Sequence, residues 1–279
     1  MTTATSAAEL TALPPVSPVV RFGRLLASVW IKLRSMRSTR WSLIVLVVVS
    51  IGLTALFAVL VTKTWTGAHN ASRNAQIIAD PVSYLLGTGI NLGQLAICVL
   101  GVLFITAEYS SGVIKMSLLV TPRRLPMLAA KAAVLAAVML AVGEAVAFAS
   151  FGLTQAVLAG HGDGVSLGHP GVPGAVLCTG LLLAVCVLLG LALGAIVRHT
   201  AGGIAATIAV IVIPGIVALL PSPWSGRIGR FTLLEAARQV SALHPATNLF
   251  SPAWSLLIVL AWPAVALAVA AVLITRRDA

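Results

Sequence analysis

The chain has 279 residues and a formal net charge of +11, yet only 9% of its residues are charged and 59% are hydrophobic. With a mean hydropathy of +1.06, this balance excludes a water-soluble domain, which needs far more charge to stay solvated. The basic excess sits beside long apolar runs, which points to membrane topology and away from nucleic acid as a partner.

Aromatic residues make up 5%, and continuous Ala, Val and Leu stretches read as aliphatic helix. The alternating strands of an outer-membrane barrel are absent from the pattern. Cys98, Cys178 and Cys186 lie inside apolar stretches without zinc or redox spacing and read as small packing residues.

Residues 1–18 are rich in Thr, Ala, Ser and Pro, with Glu9 as their sole charge, a composition that predicts a disordered N-terminal tail. The first 40 residues carry no apolar core followed by small-residue cleavage chemistry, so no cleavable signal is expected. Over residues 19–40, Phe22, Leu25, Leu26, Val29, Trp30, Leu33 and Met36 recur at helical spacing. Arg21, Arg24, Lys32, Arg34 and Arg37 fill much of the remainder. The spacing predicts a basic amphipathic helix lying in the membrane interface, with its cations near anionic headgroups.

The rest, 41–279, reads as an all-α transmembrane domain with six spans at approximately 41–62, 83–107, 126–159, 174–197, 203–220 and 253–275. The first is uncharged and, at 1.5 Å per residue, about 33 Å long, enough to cross a hydrocarbon core. Lys63, His69, Asn70, Arg73 and Asp80-Pro81 mark a polar loop after it, and 108–125 forms a loop or short helix after the second span. The third is long and interrupted only by Glu144. A Gly, His and Pro cluster at 160–173 makes a turn-rich loop. Between the last two spans, 221–253 holds several charges and two prolines around the semi-apolar stretch Phe231 to Leu243. It reads as one or two short helices at the membrane surface.

Counting basic residues in alternate loops places thirteen on one side and five on the other. The positive-inside rule then puts both termini, the 108–125 loop and the 198–202 turn in the cytoplasm of a multi-pass plasma (inner) membrane protein.

Candidate chemistry is sparse. His161, Asp163 and His169 cluster in the third loop but lack ligands at helical i, i+4 spacing, so a flexible turn is the simpler reading and no metal is expected. No Gly-Lys dipeptide occurs, so the chain has no P-loop of its own and is not expected to be an enzyme. The intramembrane polar residues are Asn91 and Gln94, Glu144 and Gln155, and Thr207, with Glu144 expected near the outer interface. Gly89-x-x-x-Gly93 and Gly190-x-x-x-Gly194 permit close helix contact.

Two segments together resemble the ABC-2 type transporter permeases. Ala27-Ser-Val-Trp-Ile-Lys-Leu-Arg-Ser-Met-Arg-Ser-Thr-Arg-Trp41 is similar to the amphipathic connecting helix before the first span, especially in actinobacterial members. Val29 stands where such members often carry Glu. Ile105-Thr-Ala-Glu108-Tyr-Ser-Ser-Gly112-Val-Ile-Lys115, continuing through Leu118-Leu119, Pro122-Arg123-Arg124 and Lys131, is similar to the stretch where the second span leaves the membrane and a proline-arginine turn leads back.

The resemblance spans about residues 20–277. It implies a permease subunit that binds no cofactor itself, works with two separate ATPase subunits carrying ATP and Mg, and pairs with a second copy or a homologous permease. Export of a hydrophobic or amphiphilic compound, such as a drug, antibiotic or lipid, would follow.

Coupling to the ATPase would fall to Glu108, Gly112, Lys115, Pro122, Arg123 and Arg124, and the connecting helix would act through Trp30, Lys32, Arg34 and Arg37. Spans two and five would line the path, making Asn91, Gln94 and Thr207 its candidate polar residues. Glu108, at the membrane boundary, is placed to pair with a connecting-helix arginine. The alternatives are an ion-coupled secondary transporter, and a membrane immunity protein acting by binding alone.

Overall fold

The computed structural model describes residues 18–35, 37–63, 80, 87–110, 124–159, 165–247 and 249–276, and within these the chain forms helices and no strands. In chain order they are α1 (Pro18–Ser35), α2 (Arg37–Lys63), α3 (Gly87–Ser110), α4 (Arg124–Ala159), α5 (Val172–Val197), α6 (Thr200–Ala218), α7 (Trp224–Gly229), α8 (Leu233–Ser241) and α9 (Pro252–Arg276). Five of them, α2, α4, α5, α6 and α9, contain stretches long and apolar enough to cross a membrane, whereas the apolar stretch of α3, Gly93–Tyr109, is shorter. The protein is an all-helical, multi-pass membrane protein.

Hydrocarbon offers backbone groups no hydrogen-bond partners, so each apolar run must satisfy them internally as helix. That is why the observed ends track the apolar runs closely. The chief differences fall where helix continues into polar sequence: α2 begins at Arg37 and α6 at Thr200, earlier than the hydropathy alone suggests.

The central helix is α5, which packs against α3, α4, α6, α8 and α9. Its apolar stretch is 67% buried, against 17% for α6 and for α9. Glycine makes the α3–α5 contact possible. A Cβ on Gly190 would overlap the carbonyl oxygen of Cys98, and one on Gly101 would overlap that of Val187. Gly194 lies over Val102, where an added Cβ would be 3.2 Å from the Val102 Cα. The two backbones therefore touch, as small residues allow in membrane helices. The Cys98 thiol donates to the Cys186 carbonyl at 3.3 Å across the same seam, so both cysteines serve the packing.

The amphipathic helix α1 lies against α4 and, more slightly, α2. Val29 and Leu33 are buried while Arg24 and Arg34 are exposed, as the one-sided spacing predicts, but Trp30, expected on the apolar face, is exposed as well.

Between α6 and α9, α7 has no buried residue, whereas α8 packs inward. Leu233, Ala236 and Ala237 of α8 are buried in one cluster with Val185 and Leu189 of α5 and Val259 of α9. The Trp262 indole N–H donates to the Phe231 carbonyl at 3.0 Å, and Trp262 lies about 15 Å along α9 from its start. The segment thus folds back into the bundle before returning to its rim, where Asp80 accepts a hydrogen bond from the Leu243 N–H at 2.8 Å. Prolines sit inside two of the flanking helices, Pro214 in α6 and Pro263 in α9.

Gly190→Ala is expected to destabilise the protein by roughly 1–3 kcal/mol through overpacking. Gly174→Ala, in the same helix but facing open space, should be neutral or better. Thermal unfolding of the two variants in detergent checks this.

Candidate functional site

The last turn of α3, the second turn of α4 and the α5–α6 turn meet at one end of the bundle. Lys131 donates to the Glu108 carboxylate, and the two side chains are only 5% and 6% exposed. Removing two charges from water is expensive, and a buried pair survives only when each group compensates the other. Lys131 lies in an otherwise uncharged helix segment, so pairing is what lets it point inward.

Beside this pair, the Arg198 guanidinium lies over the Tyr109 ring, 5.7 Å from its centroid, a cation–π distance. Arg198 ends α5 in the left-handed conformation (φ 58°), and its backbone N–H donates to the Gly194 carbonyl at 2.9 Å. Such caps usually fall to glycine. In a non-glycine residue this conformation carries a steric cost, and it turns the chain directly into α6. There the Thr200 hydroxyl donates to the Thr106 hydroxyl at 3.0 Å, and Thr106 donates to the Val102 carbonyl at 2.9 Å.

Three residues of one α3 turn, Thr106, Glu108 and Tyr109, thus engage α6, α4 and the α5 cap respectively. A displacement of any of these elements is felt by α3. What the arrangement offers is mechanical linkage. Among the described residues, no group of three His, Cys, Asp or Glu side chains gathers as a metal site would require.

Of the connecting-helix arginines expected to meet Glu108, Arg21 and Arg37 have side chains outside the described residues. The ion pair seen at Glu108 ties α3 to α4, and α1 joins the bundle through its apolar face on α4. Arg24 and Arg34 of α1 are exposed. Gly112, Lys115, Pro122 and Arg123 lie outside the described residues, as do the side chains of Lys32, Arg37, Asn91 and Arg124. Gln94 is buried on α3. Thr207 is buried on α6, its hydroxyl donating to the Gly203 carbonyl of its own helix at 2.8 Å.

Glu144 packs against the backbone of Gly180, where an added Cβ would come 2.7 Å from either carboxylate oxygen. Its enclosed Oε2 has no hydrogen-bond partner among the described residues. Gly180 is about 12 Å from the start of α5, so this carboxylate lies against the third turn of that helix. Gln155 accepts from the Val165 N–H at 2.6 Å. His161 and Asp163 lie outside the described residues, and the exposed His169 ring contacts the Pro170 carbonyl at 3.1 Å.

Lys131, Tyr109, Arg198, Thr106 and Thr200 were not expected to form a site. The available signal was Lys131, a lone cation inside an apolar helix, which demands an acidic partner nearby. No protein-family model matches the chain, and no curated protein matches it.

Glu108→Gln or Lys131→Met alone is expected to destabilise the protein by roughly 3–5 kcal/mol, because each leaves a buried charge without its counterion. The double variant should lose much less than the sum of the two. A double-mutant cycle by thermal unfolding measures the coupling.

Proposed function

We propose that the chain is the transmembrane permease subunit of an ATP-driven ABC-2 type exporter, with six spans including α3 and both termini in the cytoplasm of the plasma (inner) membrane. The observation that carries this reading is the junction of α3, α4 and the α5–α6 turn around Glu108–Lys131 and Tyr109–Arg198. A permease without its own ATPase must receive force at its cytoplasmic end and pass it into the spans. This junction adjoins the 108–125 segment that carries the family resemblance, at the end where basic residues accumulate.

On this reading two ATPase subunits, holding ATP and Mg, dock on that end of a pair of permeases, either two copies or this chain with a homologue. Their closure moves the connecting helix and the α3–α4 segment. The path between the permeases, for which Asn91, Gln94 and Thr207 are the candidate polar residues, then opens outward. The aliphatic character of the spans favours a hydrophobic or amphiphilic cargo such as a drug, antibiotic or lipid.

A second reading has its own observation. The enclosed, unpartnered oxygen of Glu144 is the kind of intramembrane carboxylate that carries protons or cations in ion-coupled secondary transporters.

Co-purification with a candidate ATPase from the same operon distinguishes the two. A stable complex is expected, in which Glu108→Ala and Arg123→Ala/Arg124→Ala uncouple ATP hydrolysis from transport while Glu144→Gln leaves the coupling intact. Solute movement by the purified chain alone down an ion gradient, lost in Glu144→Gln, would replace the permease reading with the secondary transporter.

A further inference from the structure

The segment that folds back between α6 and α9 builds a groove with a cation at its edge. Phe231, Phe250, Trp254, Leu257, Ile258 and Ala261 line a cavity of about 380 Å³. Its wall follows the first turns of α9 for about 10 Å, from Trp254 to Ala261. The lining faces outward: Trp254 is 63% and Phe231 52% exposed, at the periphery of a bundle that sits in lipid.

The two phenylalanines are held from behind. Trp262 donates to the Phe231 carbonyl at 3.0 Å, and the buried Gln239 side chain donates to the Phe250 carbonyl at 3.1 Å. Gln239 also donates to the Ala246 carbonyl and accepts from the Ala246 N–H, at 2.9 and 3.1 Å. The rings meet edge to face with centroids 5.2 Å apart.

Arg230 lies over both rings, 4.8 Å from the Phe250 centroid and 5.4 Å from that of Phe231. Its Nε is enclosed and has no hydrogen-bond partner, and no carboxylate pairs with it among the described residues. In the same segment Glu235 is engaged with Arg238 at 3.7 Å. Aromatic faces stabilise the guanidinium from one side, but they leave its Nε–H without an acceptor, and a half-buried cation calls for an anion.

An apolar, lipid-facing groove beside an uncompensated guanidinium matches one kind of occupant in both shape and charge. We propose that this groove binds an anionic phospholipid of the leaflet at the α7–α8 end of the bundle, its phosphate on Arg230 and an acyl chain along Trp254, Leu257 and Ala261. The phosphate supplies the negative charge that no carboxylate brings to the arginine, and the chain covers the exposed aromatic surface. The site requires only that the chain sit in a bilayer, so it stands or falls independently of the ATPase reading.

The test uses the full chain in phosphatidylcholine nanodiscs containing a trace of phosphatidylglycerol with a diazirine in its acyl chain. Irradiation and peptide mapping should place the label on the α9 segment that includes Trp254–Ala261. Phosphatidylcholine bearing the same diazirine keeps the phosphate but offsets its charge with choline, and should label the segment about threefold less, the anionic headgroup being the one that compensates the guanidinium.

Arg230→Gln should erase that headgroup preference, while Arg227→Gln, an exposed arginine of α7, should keep it. Equal labelling by the two lipids in the native chain, or an unchanged preference in Arg230→Gln, overturns the proposal. Ile258→Trp fills the groove with Arg230 intact and is expected to abolish labelling. Undiminished labelling there also overturns the proposal, even if Arg230→Gln fails to fold.

Discussion

Direct backbone contact between α3 and α5 is the constraint on which the rest of the arrangement depends. Lipid tails are as apolar as the side chains of the spans, so burial alone draws two such helices together only weakly. Close packing of backbone on backbone does so, and it exists here because Gly101, Gly190 and Gly194 carry no Cβ at the crossing. With α3 seated against it, α5 becomes an axis around which α4, α6, α8 and α9 find their places.

That axis also decides where the polar groups fall. Gly194, which lets α3 approach, supplies the carbonyl that caps α5 through the Arg198 N–H. The same cap carries Arg198 to Tyr109 and delivers Thr200 to Thr106. Glu108, in the same turn of α3, faces α4 and Lys131. A seam of apolar packing and a knot of polar contacts are thus two ends of one arrangement. The polar end is specific because the packed end leaves it little freedom.

Much of this was legible in the sequence, and the remainder was hidden for identifiable reasons. The spans follow from the length of uncharged runs, and α1 from its one-sided spacing, because both depend on neighbours in sequence. The Gly190 and Gly194 pair announced a close contact; Gly101, isolated in an ordinary apolar stretch, did not. The partner of Glu108 was hidden because Lys131 lies 23 residues away across a loop, and spacing says nothing about which helices adjoin. The return of α8 into the bundle was hidden for the same reason. Leu233, Ala236 and Ala237 declare an inward face, but only the fold shows that this face meets α5 and α9 instead of headgroups.

The prolines of α6 and α9 give the bundle an uneven stiffness. Pro214 and Pro263 have no N–H to donate, so the carbonyls of Val210 and Val259, one turn earlier, lose their usual helical partner. A helix bends most readily where that ladder is interrupted. Between its ends α5 has no such break: its one proline lies in the first turn, where no intrahelical donor is needed. The molecule therefore behaves as a rigid mast flanked by two jointed struts, both on the lightly buried periphery, and bending strain is taken up in α6 and α9 before it disturbs the glycine seam.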